Sequence, residues 1–500
     1  MHNPLPPLWR PADKALRGAA YILFLIPVVA YIVCALQRLG SPIELEWMEG
    51  GSLQMMHRVL SGKPLYAPPS VEFVPYTYTP LYFYLSALVS FVVGADFFPL
   101  RLVSFTASLA TFFFIFAIVR REAGSTLAGV AAAGLFAGSY AVNGNWFDIA
   151  RIDSLCVAFI LSGIWFAFGR GRPFELIVGG LLVTLAFFTK QVALVIAGPL
   201  IVAVVARHGA RGLFFAFTTL LAIGVGCVAM EALHEGWFMF YVMESPRTRW
   251  QNNLSLTHLA RATFIEFAPL FILPLAAASV PLWNLATHPT RAGVSFLIAL
   301  SGLFLAAAWG RVESINFLNS SIPAHLGMAL LFGLALSGIS SSVGRVFVVG
   351  AFTLQLCIFT SMLGPLVPHE RELANYRSYT ELVTALPKPT YIPDQGYVTT
   401  LGSEGSFAHS IGIMDLMMGG SAPIVAKFRQ EMESALDAKK FGTIVCDTDL
   451  FPRWFKEALE RNYEVDTSAN PQGASTPVLG FQHRPVMYTR RAAKSLRPLS

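Results

Sequence analysis

Apolar residues run along this chain in long blocks separated by short polar segments, and the block lengths predict helices that cross a membrane. A bilayer core of about 30 Å needs about 20 mostly apolar helical residues. By that measure spans fall near residues 19–38, 99–119, 125–144, 154–169, 174–189, 192–206, 213–233, 264–286, 293–309, 323–341 and 345–364. The block at 80–95 is shorter and opens on a proline, which suits a segment that lies on or dips into the membrane without crossing it. From Pro365 the pattern changes. A helix-like VAKFRQEMESALDAKKF and a strand-like GTIVCD predict a small α/β domain over 365–500, following a transmembrane domain over 1–364. From about Thr467 the sequence is rich in Pro, Ser, Gly and Arg and is expected to pack poorly. The fold class expected is an α-helical polytopic membrane protein with about 11 transmembrane helices and a C-terminal α/β domain.

Composition agrees with this pattern: 54% of residues are hydrophobic and 13% charged, against about 25% charged in soluble proteins. The net charge of +6 would suggest nucleic acid in a soluble chain. Here the basic residues sit in short clusters between apolar blocks, as topology signals do, and no nucleic-acid partner is needed. If 80–95 does not cross, Arg10/Lys14/Arg17, Arg120/Arg121, Arg170/Arg172, Arg207/Arg211, Arg291 and Arg345 all fall on one side. The 43–98, 145–153, 234–263 and 310–322 loops, Lys190/Gln191 and the C-terminal domain are then extracytoplasmic. A bacterial inner (plasma) membrane is the expected location. No small-x-small cleavage site follows the first apolar block, so it reads as a retained helix. Cysteines and histidines show neither disulfide nor metal-ligand spacing.

The candidate chemistry sits in the outer loops. The first, 39–98, keeps Glu44, Glu46 and Glu49 beside the membrane, where ionisable groups are costly. Leu53, Met56 and Leu60 then recur at helical spacing opposite Gln54, Arg58 and Ser61, predicting a short amphipathic helix in the interface plane. Tyr66, Tyr76, Tyr78, Tyr82 and Tyr84 are expected at the water–lipid boundary. The second loop, NGNWFDIARIDSL, carries Asp148, Arg151 and Asp153. In an unbroken helix Asp148 and Arg151 would be neighbours and Asp153 would point away, so the three converge only if the chain turns. An Asp148–Arg151 ion pair anchoring the loop is the alternative. Lys190, beside Gln191 between two apolar spans, either snorkels or meets an anion such as a lipid phosphate. Glu244, Arg247 and Arg249, and likewise Arg311, Glu313 and Asn316, follow spans on the same side.

The order WMEGG, SGKPLY, YTYTPLY and FPLRLVS resembles the first periplasmic loop of the GT-C superfamily, the polytopic glycosyltransferases that use polyprenyl-phosphate sugars, among them mannosyl- and aminoarabinose-transferases. Glu49-Gly50 matches the Glu-Gly of an Asp-Glu-Gly, Gly62 to Tyr66 matches a Gly-x-x-x-Tyr, and Tyr78-Thr79-Pro80-Leu81 matches a Tyr-x-Pro-Pro-Leu. The aspartate expected before Glu49 is Met48. The resemblance extends over roughly residues 20–340. It implies an inverting hexosyl- or pentosyltransferase with Glu49, then Glu46, as catalytic base, and Asp153 as a second acid for acceptor or metal. Asp148, Arg151, Lys190, Gln191, Tyr78, Arg247, Arg311 and Asn316 are the expected substrate-binding positions. The partners implied are a polyprenyl-phosphate sugar, membrane lipid, and a lipid, glycan or protein acceptor. Paired outer acids permit a divalent cation without requiring one. A transporter or lipid flippase is the alternative from another class, although the charges cluster at span ends rather than at mid-membrane. Met48 also keeps open an inactive scaffold in polysaccharide assembly.

Overall fold

The computed structural model describes residues 11–268, 287–313, 317–338, 350–355, 367–400, 405–467 and 486–491, with a few isolated positions between them. Its helices are α1 (Pro11–Leu39), α2 (Glu49–Leu60), α3 (Leu81–Val93), α4 (Phe97–Ala123), α5 (Thr126–Gly138), α6 (Asp153–Ala167), α7 (Pro173–Thr189), α8 (Ala193–His208), α9 (Gly212–Leu233), α10 (Ser245–Asn252), α11 (Arg291–Arg311) and α12 (Ile322–Gly338). Beyond them lie α13 (Glu370–Ala385), α14 (Ser410–Gly419), α15 (Ala422–Asp437) and α16 (Arg453–Asn462). Among the described residues five helical stretches are long and apolar enough to cross a membrane: Gly18–Leu39, Phe97–Ala123, Ala193–Leu233, Arg291–Arg311 and Leu318–Ser337. The third is broken by a 3-10 turn at Gly209–Arg211 into α8 and α9, which pack on one another. Helices α5, α6 and α7 are apolar but only 13, 15 and 17 residues long. Most of the spans expected near 264–286 and 345–364 lies outside the described residues.

Local chemistry sets these boundaries. The Asp96 carboxylate accepts the Phe98 N–H at 2.8 Å to start α4, and Gly124, at φ +66°, ends it in a left-handed turn. Helix α3, preceded by Pro80, has 13 residues, about 20 Å at 1.5 Å per residue, too short to cross. It packs against α4 and α2 and leaves Leu88, Phe91 and Val92 exposed.

The C-terminal unit holds a four-stranded sheet in the order β1-β2-β4-β3, from β1 (Thr390–Tyr391), β2 (Thr443–Cys446), β3 (Tyr463–Val465) and β4 (Val486–Arg490). β1 runs parallel to β2, and β4 is antiparallel to both of its neighbours. The expected strand GTIVCD is β2 and the expected helix is α15. One apolar core joins this unit to the first outer loop: Trp47, Met56, Tyr76 and Phe83 belong to the same cluster as Ile444 and Phe455.

That shared core changes the picture of the first loop in two ways. Helix α2 forms as expected, but Glu49 to Met56 are all buried, and Gln54 meets the Phe407 carbonyl of the C-terminal unit rather than solvent. Tyr66, Tyr76 and Tyr82 are likewise interior rather than interfacial, while Tyr84 is exposed. Their hydroxyls reach the Tyr78, Met48 and Leu100 carbonyls at 2.5, 3.1 and 2.8 Å. The C-terminal unit covers Gln54 and, through His409, Tyr76, while Tyr66 packs on His234, Phe238 and Tyr241 and Tyr82 lies against α4.

The first loop is pinned by a buried ion pair. The Arg101 guanidinium donates to both Glu49 oxygens, Nε to Oε1 at 3.0 Å and Nη2 to Oε2 at 2.6 Å. Its remaining N–H groups reach the carbonyls of Ser41 at 2.6 Å, Ile43 at 2.7 Å and Arg38 at 3.3 Å. Glu49 in turn accepts the backbone N–H groups of Leu45 and Ala150, each at 2.6 Å. Every donor and acceptor site of the pair is thus used, the condition under which two buried charges are tolerated. The glycines after Glu49 complete the fit. A Cβ on Gly50 would lie 2.8 Å from Glu44 Oε1 and 2.8 Å from a Tyr397 ring carbon, and one on Gly51 would overlap the Tyr76 hydroxyl.

Two stability predictions follow from this packing. Gly51→Ala should cost about 1–3 kcal/mol through overpacking, whereas Gly198→Ala in α8, with nothing within 4 Å of its Cβ, should be neutral or gain up to about 1 kcal/mol; thermal unfolding in detergent measures both. Glu49→Gln leaves Arg101 buried without its counter-charge and should cost about 3–5 kcal/mol. Adding Arg101→Met should recover part of that loss, measured in the same way.

Candidate active site

The second loop completes the site because it turns. A 3-10 turn at Ala141–Asn143 is followed by Gly144 and Asn145, both in the left-handed region at φ +72° and +63°, and α6 begins at Asp153. This geometry separates Asp148 from Arg151. Asp148 faces Arg38, with Nε–Oδ2 at 3.4 Å, and accepts the Tyr140 hydroxyl at 2.7 Å. The anticipated Asp148–Arg151 pair is therefore replaced: Arg38 serves Asp148, and Arg151 lies 3.6 Å from Glu46. Asp148 braces the loop from behind and does not line the cavity described next.

A cavity of about 1150 Å³ opens where the outer loops meet the spans. Apolar side chains line one part of it, among them Val195, Leu303 and Leu326 from the spans and Ile160 from α6. At its polar part stand Arg151, Asp153, Lys190, Gln191, Tyr78 and Asn319. Lys190 Nζ donates to Asp153 Oδ1 at 2.6 Å, and Asn319 Nδ2 donates to the same oxygen at 3.2 Å. Asp153 Oδ2 is buried and has no hydrogen-bond partner among the described residues. Arg151 donates from Nη2 to the Tyr78 hydroxyl at 3.0 Å and lies over the Trp146 ring at 4.6 Å, while its Nε and Nη1 make no hydrogen bond among the described residues. Gln191 is held by the Thr77 carbonyl at 2.7 Å. Arg247 lines the same cavity, exposed to water.

The three glutamates of the first loop occupy three different environments. Burial opposes ionisation of Glu49, but Arg101 and the two backbone N–H groups outweigh it and hold its carboxyl below the usual value. With all its acceptor sites filled and no face on the cavity, Glu49 has the geometry of a brace rather than of the base expected at this position. Burial pushes Glu46 up to about 7 against the opposing pull of Arg151; it sits behind that arginine, off the cavity wall. Glu44 is raised well above its usual value by burial, and accepts the Gly50 N–H at 2.6 Å. Met48, where the resemblance would place an aspartate, lines the cavity.

Of the other expected positions, Arg311 turns to Glu266 and does not line the cavity, because it ends α11 on a face away from the opening. Asn316 lies outside the described residues. Sequence reasoning passed over the opposite wall: Ile411, Met414, Asp415 and Met418 of α14, and the stacked indoles of Trp250 and Trp309, whose centroids are 4.2 Å apart. Asp415 carried a usable signal as the single acid in the apolar stretch SIGIMDLMMG. Arg101 carried the same signal, a lone charge at the opening of a span. Among the described residues no three His, Cys, Asp or Glu side chains converge as metal ligands.

Comparison with known proteins agrees with this architecture. Residues 77–237, which hold Tyr78, the second loop, Lys190 and Gln191, match the family model of dolichyl-phosphate-mannose-protein mannosyltransferases. No curated protein matches by sequence. Among solved structures, ArnT from Cupriavidus metallidurans, bound to undecaprenyl phosphate, is similar with a TM-score of 0.57 at 14% identity, over 95% of this chain and 98% of that one. The archaeal oligosaccharyltransferase AglB from Archaeoglobus fulgidus, in complex with an inhibitory peptide and a dolichol-phosphate, is similar with a TM-score of 0.53 at 11% identity, over 98% of this chain and 76% of that one. The chain is thus a multi-span membrane protein with the fold of the GT-C glycosyltransferases.

Proposed function

We propose that this protein is an inverting glycosyltransferase that moves a hexosyl or pentosyl group from a polyprenyl-phosphate donor to a lipid, glycan or protein acceptor. The site works on the extracytoplasmic side of a bacterial inner membrane, with the C-terminal unit above it. One observation carries the reading: a single cavity joins an apolar wall built from spans to a polar end holding Arg151, Lys190 and a partly unpartnered Asp153. An amphipathic donor fits that combination. Its isoprenoid chain contacts the span side chains, and its phosphate meets Arg151, which keeps two unengaged donors, and Lys190. Tyr78 and Gln191 fix the outline of that end. Arg247 adds a solvent-screened positive charge at the rim.

Asp153 is the carboxylate placed to act as base. The acceptor hydroxyl oxygen attacks the anomeric carbon from the face opposite the lipid phosphate. The bond from that carbon to the phosphate oxygen breaks, the polyprenyl phosphate leaves, and the hydroxyl proton passes to Asp153 Oδ2. Lys190 and Asn319 hold the other oxygen and so keep the acid ionised and oriented. Glu46 acts through Arg151 as a positioning residue. Its ionised form attracts the guanidinium and its protonated form does not.

The test uses purified protein in nanodiscs with radiolabelled polyprenyl-phosphate sugars and a membrane acceptor fraction. Wild type should transfer label, and Asp153→Asn should lower the rate by about 10² to 10⁴-fold with its unfolding temperature kept. Transfer undiminished in Asp153→Asn would remove it as base, and binding of donor without transfer by wild type would favour a lipid carrier. The pH profile gives an independent prediction. Transfer should rise through about pH 7 as Glu46 ionises, and Glu46→Gln should remove that limb. Stability should move the other way, because a carboxyl raised from 4.5 to about 7 favours the fold below pH 4.5 and loses that contribution as pH climbs to about 7.

A further inference from the structure

Two largely buried arginines that line the cavity, Arg151 and Arg249, are neutralised to different degrees. Arg151 has Glu46 at 3.6 Å, beyond hydrogen-bonding distance, feels Asp153 from beyond ion-pair distance, and keeps two nitrogens without hydrogen-bond partners among the described residues. Arg249, on α10, is held by two carboxylates. Its Nε donates to Glu313 at 2.8 Å, and its Nη1 donates to Asp415 of the C-terminal unit. Asp415 is fixed in turn by the Thr77 hydroxyl, which donates to its other oxygen at 2.9 Å. All four residues line the cavity or its rim, and all three partners of the clamp have largely buried side chains.

The backbone is shaped to keep this clamp closed. Helix α14 packs along α10, and a glycine in its first turn and another at its last position are in tight contact. A Cβ on Gly412 would lie 2.6 Å from the Val74 carbonyl oxygen, and one on Gly419 would overlap the Ser245 carbonyl. Asp415, halfway along, therefore has little freedom to leave Arg249. The neighbouring cation Arg247 is exposed and three residues from Glu244, where water screens it.

An anionic head group entering the cavity would meet two largely buried guanidiniums, Arg151 and Arg249, and attraction alone would not choose between them. Specificity then needs one of the sites to be made unattractive. We infer that Asp415 is a specificity-determining residue: with Glu313 it cancels the charge of Arg249, so that the phosphate of the lipid donor settles at Arg151 and Lys190, beside Asp153. The inference rests on the donor reading above and assigns to the C-terminal unit a direct part in orienting the donor. Asp415→Asn would free Arg249 as a second anion site. The donor would bind more tightly but partly in the wrong place.

The experiment measures binding of undecaprenyl phosphate, as probe, to the full chain in nanodiscs, alongside label transfer. Asp415→Asn should tighten probe binding by about tenfold, the effect of one close charge pair, and should lower kcat. Asp415→Glu should behave as wild type, and adding Arg249→Gln to Asp415→Asn should return the affinity to the wild-type value. A merely structural Asp415 would lose affinity and activity together, which overturns the inference. Should Asp415→Asn fail to fold by thermal unfolding, Glu313→Gln removes the other half of the clamp, and unchanged or weakened binding there overturns it equally. Wild type that binds no probe overturns the donor reading and this inference with it. Wild type that binds, with affinity unmoved by either variant, overturns this inference alone.

Discussion

The buried pair of Arg101 and Glu49 is the constraint on which the site depends. Two ions taken out of water are tolerated only when every remaining hydrogen-bonding position is filled, and here filling them dictates the path of three chain segments. Arg101 fixes the end of the first span through the carbonyls of Arg38, Ser41 and Ile43. Glu49 fixes the second loop through the Ala150 N–H. The residue after Ala150 is Arg151, and the residue before Glu49 is Met48, both on the cavity wall. A slip of the pair would move both walls, which is why a carboxylate without a face on the cavity still governs its shape.

The same fold gives chemically identical side chains different work by changing what surrounds them. Glu49 is saturated by N–H donors and stays ionised; Glu46, with the Met48 N–H and an arginine at 3.6 Å, is pushed up to about 7 by burial; Glu44, held by the Gly50 N–H, is also raised well above its usual value by burial. Asp153 differs from all three in combining a filled oxygen with an unfilled one on the cavity wall. Charge here is therefore sorted by hydrogen-bond supply: Glu49, rich in donors, braces, whereas Glu46 Oε1 and Asp153 Oδ2 lack partners among the described residues, and of these two residues Asp153 lines the cavity.

Much of this was legible in the sequence. Block length marked the helices because hydrophobic thickness sets it. Lys190, Gln191, Arg151, Asp153 and Tyr78 meet in one cavity as grouped by loop position. What the sequence concealed was long-range. Whether Asp148 serves Arg151 or Arg38 depends on two consecutive left-handed residues at Gly144 and Asn145, a backbone choice that helical spacing does not encode. Gln54 and the loop tyrosines were misplaced because their cover comes from distant segments, Phe407 and His409 over Gln54 and Tyr76 and residues 234–241 over Tyr66, and periodicity within a loop carries no information on what lies over it. Arg311 looked like Arg249 in sequence; only its carboxylate, Glu266, separates them.

The cavity has two kinds of wall because it stands between two solvents. Apolar side chains of the spans suit a chain drawn from the bilayer, since contact with them costs such a chain nothing relative to lipid. Polar groups above must instead be satisfied by protein, and the spans alone cannot supply enough of them. The C-terminal unit makes good that shortage: Gln395 reaches Glu44, Asp415 reaches Arg249 and Thr77, and the Phe407 carbonyl reaches Gln54. Each contact ties a charged or amide group at the membrane surface that would otherwise face lipid or water. The C-terminal unit and the first loop consequently share one apolar core, and a site that appears in sequence as a set of separate loops exists only where that shared core holds them together.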